Sequence, residues 1–228
     1  MKCSYKAVLG IFIALFASGG HINAQGGLNL WSSAELNYKI NKRVKLSLSE
    51  ELRLRENLAK TDRFETSLEA TYKLFSFIKV GVGYSLLNYN HPRKGWEIRH
   101  RVNLSVEGEY SIGRFDLALR EQYQNTYRVG VTGTSERLNP KMYVRSRLSV
   151  SYNISGSRIY PYSSAEFYHT VNSPVENELS KIRYTLGTKY KLSKRNSLNL
   201  YYRYVTEKED DDIEGSNIIG IGYTINIR

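Results

Sequence analysis

From Leu28 to the end, the chain alternates between apolar and polar residues. In the stretch from Asp62 to Leu74, an extended backbone puts Phe64, Thr66, Leu68, Ala70, Tyr72 and Leu74 on one side. Arg63, Glu65, Ser67, Glu69, Thr71 and Lys73 fall on the other. The stretch Val44 to Leu54 sets Leu46, Leu48 and Leu52 against Lys45, Glu51 and Arg53, and Ile182 to Leu192 sets Tyr184, Leu186 and Tyr190 against Arg183, Lys189 and Lys191. A period of two belongs to strands with one apolar and one polar face. Eleven such segments can be read, over about 28–40, 44–56, 63–74, 77–89, 97–110, 114–126, 138–153, 158–170, 180–191, 196–206 and 216–227. Most are longer than the roughly 5–6 residues of a soluble strand. They match the roughly 9–11 residues that a tilted strand needs to cross a bilayer.

The connections alternate as well. Short turns fall at Asn41-Lys42-Arg43, Phe75-Ser76, Ser111-Ile112-Gly113, Ser155-Gly156-Ser157 and Ser193-Lys194-Arg195. Longer polar connections are expected over 57–62, 90–96, 127–137, 171–179 and 207–215. Short turns at one end and longer loops at the other are the pattern of a transmembrane barrel. Each short turn follows a Tyr-x-Ile/Leu motif, with its tyrosine at Tyr38, Tyr72, Tyr110, Tyr152 and Tyr190, and a sixth copy, Tyr223-Thr224-Ile225, sits near the C-terminus. In every copy the tyrosine is on the apolar face, so the six rings predict one membrane-interface girdle, with ring bodies in lipid and hydroxyls in water. The prediction is an all-β, antiparallel, up-and-down transmembrane barrel of 10–12 strands. Single-chain bacterial barrels have even strand numbers, so the eleven visible segments imply 10 or 12 staves. A soluble β-sandwich, or a periplasmic lipid-binding barrel, is the rival for an alternating chain.

Composition changes this picture in three places. The mean hydropathy of −0.46 would suit a soluble protein, but in a barrel half of each strand can be polar. The first 24 residues read as a cleaved signal peptide, with Lys2 and Lys6 ahead of an apolar run from Ala7 to Ala17 and a small residue, Ala24, before the cut. The barrel would then occupy residues 25–228, located in the cell outer membrane, and the only cysteine, Cys3, would leave with the signal. The chain carries 33 Lys and Arg against 22 Asp and Glu; removing Lys2 and Lys6 leaves 31 − 22, or +9. A basic chain raises nucleic acid as a partner. Export, and basic residues spread along alternating strands, argue against it.

The polar faces carry the candidate chemistry. Arg53, Arg55, Arg99, Arg101, Arg120, Arg145, Arg147, Arg183 and Arg203, with Glu65, Glu69, Glu107 and Glu166, should line the lumen. In a narrow barrel they either pair and plug the interior, or bias it toward small anions as a passive pore. The plug is the first reading. Glu50, His100, Glu121 and Ser146 fall on the lipid side, where a carboxylate costs energy. A lipid-modifying hydrolase would use Ser, His and an acid there, but no serine pairs with His100 on its face, and no catalytic residue is assigned. Asp210, Asp212 and Glu214, followed by Gly215, resemble the start of a calcium loop. The acid required six residues beyond the glycine is missing, since that position is Ile221. No cofactor or metal is expected beyond that weak candidate.

Several short motifs together resemble a known family. They are Leu30-Trp31, the Tyr-Lys-Ile/Leu turns, Arg99-His100-Arg101, Arg145-Ser146-Arg147 and Pro161-Tyr162-Ser163-Ser164-Ala165-Glu166. The mature chain resembles the short outer-membrane barrels of the Bacteroidota type grouped as domain of unknown function 2490. The resemblance implies an outer-membrane barrel without assigned catalytic residues. The C-terminal Gly220-Ile221-Gly222-Tyr223-Thr224-Ile225 is similar to the assembly signal of outer-membrane proteins, although it ends in Ile227-Arg228 rather than an aromatic residue. The implied partners are outer-membrane lipid, lipopolysaccharide and the assembly machinery. The function expected is a largely charge-filled, non-enzymatic barrel with a structural or loop-mediated binding role.

Overall fold

All eleven alternating segments form strands. In the computed structural model, which describes residues 27–92, 94–131, 139–173, 178–209 and 212–227, they are β1 (Leu28–Lys39), β2 (Val44–Arg55), β3 (Lys60–Lys73), β4 (Ile78–His91), β5 (Gly95–Ile112), β6 (Phe115–Arg128), β7 (Lys141–Tyr152), β8 (Ile159–Thr170), β9 (Leu179–Lys191), β10 (Asn196–Glu209) and β11 (Asp212–Ile227). Each pairs antiparallel with its chain neighbours, and the sheet closes into a single barrel. The residues expected as a signal peptide, Cys3 among them, lie outside the described residues.

The closure overturns the expectation of an even strand number. With eleven staves, β1 and β11 run in the same direction, and they pair parallel from Leu28↔Asn217 to Tyr38↔Ile227. The barrel is therefore antiparallel except at one seam. Several of the long connections expected at the other end are also shorter than predicted. The segments over 57–62, 90–96 and 207–215 are partly strand: β3 begins at Lys60 after a turn over 56–59, His91 pairs with Gly95, and Glu209 pairs with Asp212. These polar stretches continue the ladders rather than leaving them, because backbone pairing does not require an apolar side chain. Asp212 and Glu214 consequently have extended, paired backbone rather than the curled backbone of a calcium loop, and Asp210 lies outside the described residues.

Directly paired residues on adjacent strands share a face, so one face can be followed round the wall. Trp31, Arg53, Arg63, Tyr89 and Glu97 are successive partners across β1 to β5, and all of them point inward. The outer wall is aliphatic: Leu48, Leu68, Val82, Leu104, Leu119, Leu148 and Ile219 are each between 45% and 57% exposed. A soluble sandwich would bury such residues between two sheets, and here there is one closed sheet with its polar face inside. Five of the six motif tyrosines (Tyr38, Tyr72, Tyr110, Tyr190 and Tyr223) are exposed on the outer wall at the short-turn end. Tyr152 is the exception. It is only 8% exposed, and its ring packs on Phe115 at 4.9 Å between centroids, so Phe115 takes its place at the surface. Phe75 and Phe77, stacked at 6.0 Å and exposed, add to the same ring of aromatics. Toward the other end, Phe64 stacks on Trp96 at 5.9 Å.

Near the seam the packing relies on a missing side chain. Gly220 pairs with Trp31 on one side and with Tyr201 on the other. The Tyr201 ring covers it so closely that a Cβ at Gly220 would lie 1.9 Å from the ring. Trp31 then packs with Val205 and Ile218 in a small apolar cluster inside the barrel. The Gly220→Val variant must expel Tyr201, an overpacking cost of about 1–3 kcal/mol. A lowered urea midpoint and loss of the heat-sensitive gel mobility of the folded barrel are the expected results, while Tyr201→Phe keeps both.

Candidate functional site

The lumen is where the sequence concentrates its chemistry. All thirteen candidate lumenal residues are on strand positions that face inward, on every strand from β2 to β10 except β4. Their centre is Glu166 on β8, which is 6% exposed. Its Oε1 accepts from Arg120 on β6 at 2.9 Å and from Arg145 on β7 at 2.8 Å. Its Oε2 accepts from the Tyr168 hydroxyl at 3.0 Å and lies 3.7 Å from Arg183 on β9. Arg183 also donates to the Tyr168 hydroxyl. Four adjacent strands thus converge on one carboxylate, which must carry charge to be worth burying among three guanidinium groups.

A second node lies on Glu65 of β3, which receives Arg101 from β5 at 2.9 and 3.1 Å. Arg101 also donates to Thr126, and Arg145 to Gln124 at 2.8 Å, so the two nodes are joined by short polar links. The other pairs are more local: Arg53 with Glu51 at 2.5 Å, Arg99 with Glu97 at 2.9 Å and Arg147 with Glu107 at 3.3 Å. Arg55 comes only within 3.9 Å of Glu56 in the following turn. That turn is outside the spanning strands, and there the hydrogen bond from Lys60 holds the Glu56 carboxyl below its ordinary range. Glu69 accepts from Thr71 rather than from a cation.

Arg203 has no carboxylate within ion-pair distance among the described residues. Its Nε donates to Thr185 at 2.9 Å, and its guanidinium lies over Trp31 at 4.9 Å and over Tyr201 at 4.8 Å. Trp31 is shared: Arg53 sits 3.5 Å above it and Arg183 at 5.3 Å. One indole therefore faces three cations, an attraction worth roughly 0.5–2 kcal/mol each. Sequence reasoning noted Trp31 only as part of a motif, and did not find the roles of Tyr168 and Tyr201. The available signal was parity, since all three occupy inward positions and are large for a narrow lumen.

These side chains crowd the interior through its middle and toward the long-loop end. Leu87, Gln124, Thr126, Tyr143, Tyr168, Thr170 and Val205 are buried there, with Leu87 only 1% exposed. Toward the short turns the lumen opens into a cavity of about 350 Å³. Several guanidinium Nε groups, including those of Arg120, Arg145, Arg147 and Arg183, are buried without a partner.

The lipid-side candidates do not assemble into a catalytic set. The His100 Nδ1 lies 2.6 Å from the Tyr84 hydroxyl. Ser146 donates to Glu121 at 2.7 Å on another part of the wall, and Thr66 donates to Glu50 at 2.9 Å. Each carboxylate is matched by a hydroxyl on the neighbouring strand, and no serine is bonded to His100 among the described residues. Among those residues no group of His, Cys, Asp and Glu could hold a metal ion.

The sequence of residues 28–215 matches the family described as protein of unknown function, DUF2490. The chain belongs to that family. Among solved structures, this DUF2490 member is similar in fold to the NanC porin, with a TM-score of 0.54 and 13% identity over 80% of this chain and 86% of that one. The KdgM porin is a more distant likeness, with a TM-score of 0.43 and 14% identity over 78% and 91% of the two chains. No curated protein matches the chain in sequence.

Two substitutions test this arrangement. Glu166→Gln leaves Arg120, Arg145 and Arg183 facing a neutral amide, and should destabilise the barrel by about 3–5 kcal/mol in urea unfolding. Glu121→Leu removes a carboxylate from the aliphatic wall. It should raise stability in lipid vesicles by about 1 kcal/mol, and a loss there would show that the wall at Glu121 faces something other than lipid.

Proposed function

We propose that this protein is a non-enzymatic outer-membrane β-barrel whose lumen is held shut by its own side chains, and that it acts through its wall and its loops rather than by free diffusion of solutes. The observation that carries the reading is the Glu166 node, in which four strands are tied across the interior through Arg120, Arg145, Arg183 and Tyr168. The aliphatic outer wall and the tyrosines at the short-turn end suit a membrane, where an exposed apolar surface of this extent is solvated by lipid. An apolar exterior on a basic, exported chain makes lipid and lipopolysaccharide the natural surroundings. The apolar, glycine-containing β11 is the segment that an assembly machinery would read, after removal of the N-terminal signal. The separation of His100 from Ser146 supports the non-enzymatic reading.

A passive anion path is the second reading. It is favoured by the excess of arginine over carboxylate in the lumen and by the likeness of fold to NanC, which is named a porin. Planar-bilayer recording of the refolded protein separates the two. The closed barrel gives no steady conductance. A steady current with anion preference, reduced in Arg145→Gln or Arg147→Gln, would overturn it in favour of the pore.

A further inference from the structure

The cavity at the short-turn mouth is not explained by a closed, charge-paired lumen. Its lining includes Lys39, Lys42, Arg43, Lys45, Lys73, Lys79 and Arg120, against only Glu69 and Glu107. Seven cations minus two carboxylates leaves a formal +5 around about 350 Å³. Even those two carboxylates are engaged, Glu107 by Arg147 at 3.3 Å and Glu69 by Thr71 at 3.1 Å. Lys79 pairs with Glu109. Among the described residues, Lys39, Lys45 and Lys73 have no carboxylate within ion-pair distance.

The register makes this more than a basic patch. Lys39 is the direct cross-strand partner of Lys45, and Lys73 is that of Lys79. All four point inward. Like charges directly opposite each other destabilise a sheet, and here two such pairs lie at one mouth. The opposite arrangement prevails deeper in the barrel, where carboxylates are shared among cations. Ser105, which lines the cavity, packs against the inward-facing Gly81, where a Cβ would lie 2.6 Å from its hydroxyl. Arg120 lines the inner side of the cavity and also donates to Glu166 at 2.9 Å.

We infer that this mouth is a binding site for a compact, multiply charged oxyanion, of the phosphate-ester or pyrophosphate class. Such a ligand supplies what the wall lacks: several negative oxygens at short spacing, able to bridge Lys39 to Lys45 and Lys73 to Lys79 at once. Lysine serves as a point-charge partner for phosphate. A monovalent carboxylate cannot bridge both pairs. The site lies at the short-turn mouth, outside the Glu166 node. It does not depend on whether that node opens to conduct.

The test is calorimetric titration of the refolded, full mature barrel in non-ionic detergent with inorganic pyrophosphate, at constant ionic strength, with acetate as the monovalent control. Saturable binding of pyrophosphate near one per barrel is expected, with no saturable acetate signal. Lys45→Ala and Lys73→Ala should each weaken it about fivefold or more, the effect of losing about 1 kcal/mol of charge interaction. These variants should fold at least as well as the parent, since each removes a like-charge contact. Lys60→Ala, at the opposite rim, should bind unchanged. Absence of saturable binding overturns the inference. So does binding that acetate matches, or that Lys60→Ala weakens as much as Lys45→Ala, because either is general charge attraction. Bilayer conductance, which tests the closed lumen, can come out either way without altering this result.

Discussion

Everything in this molecule depends on closing the hydrogen-bond ladder. A strand edge carries a row of unpaired backbone groups, and a wall surrounded by lipid has no water to satisfy them. With eleven strands joined by hairpins, the first and last must run in the same direction, so closure requires a parallel pair between β1 and β11. That seam spans from Leu28 to Tyr38 on β1, nearly the whole strand. The remaining architecture follows from it: an aliphatic outside, a polar inside, and a narrow interior that must be filled or solvated.

The seam also organises the lumen. Gly220 on β11 leaves room for the Tyr201 ring on one side, while Trp31 stands opposite it on β1. Trp31 then collects Arg53, Arg183 and Arg203 over its faces. Two of those cations, Arg53 and Arg183, are tied in turn to the carboxylates of Glu51 and Glu166. Closing the wall and filling the interior are thus one piece of packing rather than two. A buried carboxylate such as Glu166 is tolerable only because the strands around it deliver arginines, and the arginines are tolerable only because aromatic faces and Glu166 receive them.

The interior is therefore unequal along its length. Most of the arginines in its middle are matched by carboxylates, while its short-turn mouth is lined mainly by cations. A uniform anion path would place its excess cations throughout, whereas here Lys39, Lys45 and Lys73, which have no carboxylate within ion-pair distance among the described residues, collect at one mouth. That asymmetry separates the question of what passes through this DUF2490 barrel from the question of what it binds.

The sequence by itself determined where the eleven strand segments lie, which side their apolar and charged residues take, and the position of the tyrosines, because a period of two is a local property of an extended chain. It also placed all thirteen candidate charges on the inner face. Two expectations failed for non-local reasons. An even strand number came from the general habit of barrels, while the eleven segments themselves were correctly visible; only closure shows that β1 meets β11 in parallel. Tyr152 has the right parity for the girdle, yet the neighbouring strand lays Phe115 over it. Alternation likewise cannot say which arginine reaches Glu166, nor that Lys39 faces Lys45 while Lys73 faces Lys79. Those facts depend on register between strands and on the narrowness of the lumen, and both arise only when the sheet closes on itself.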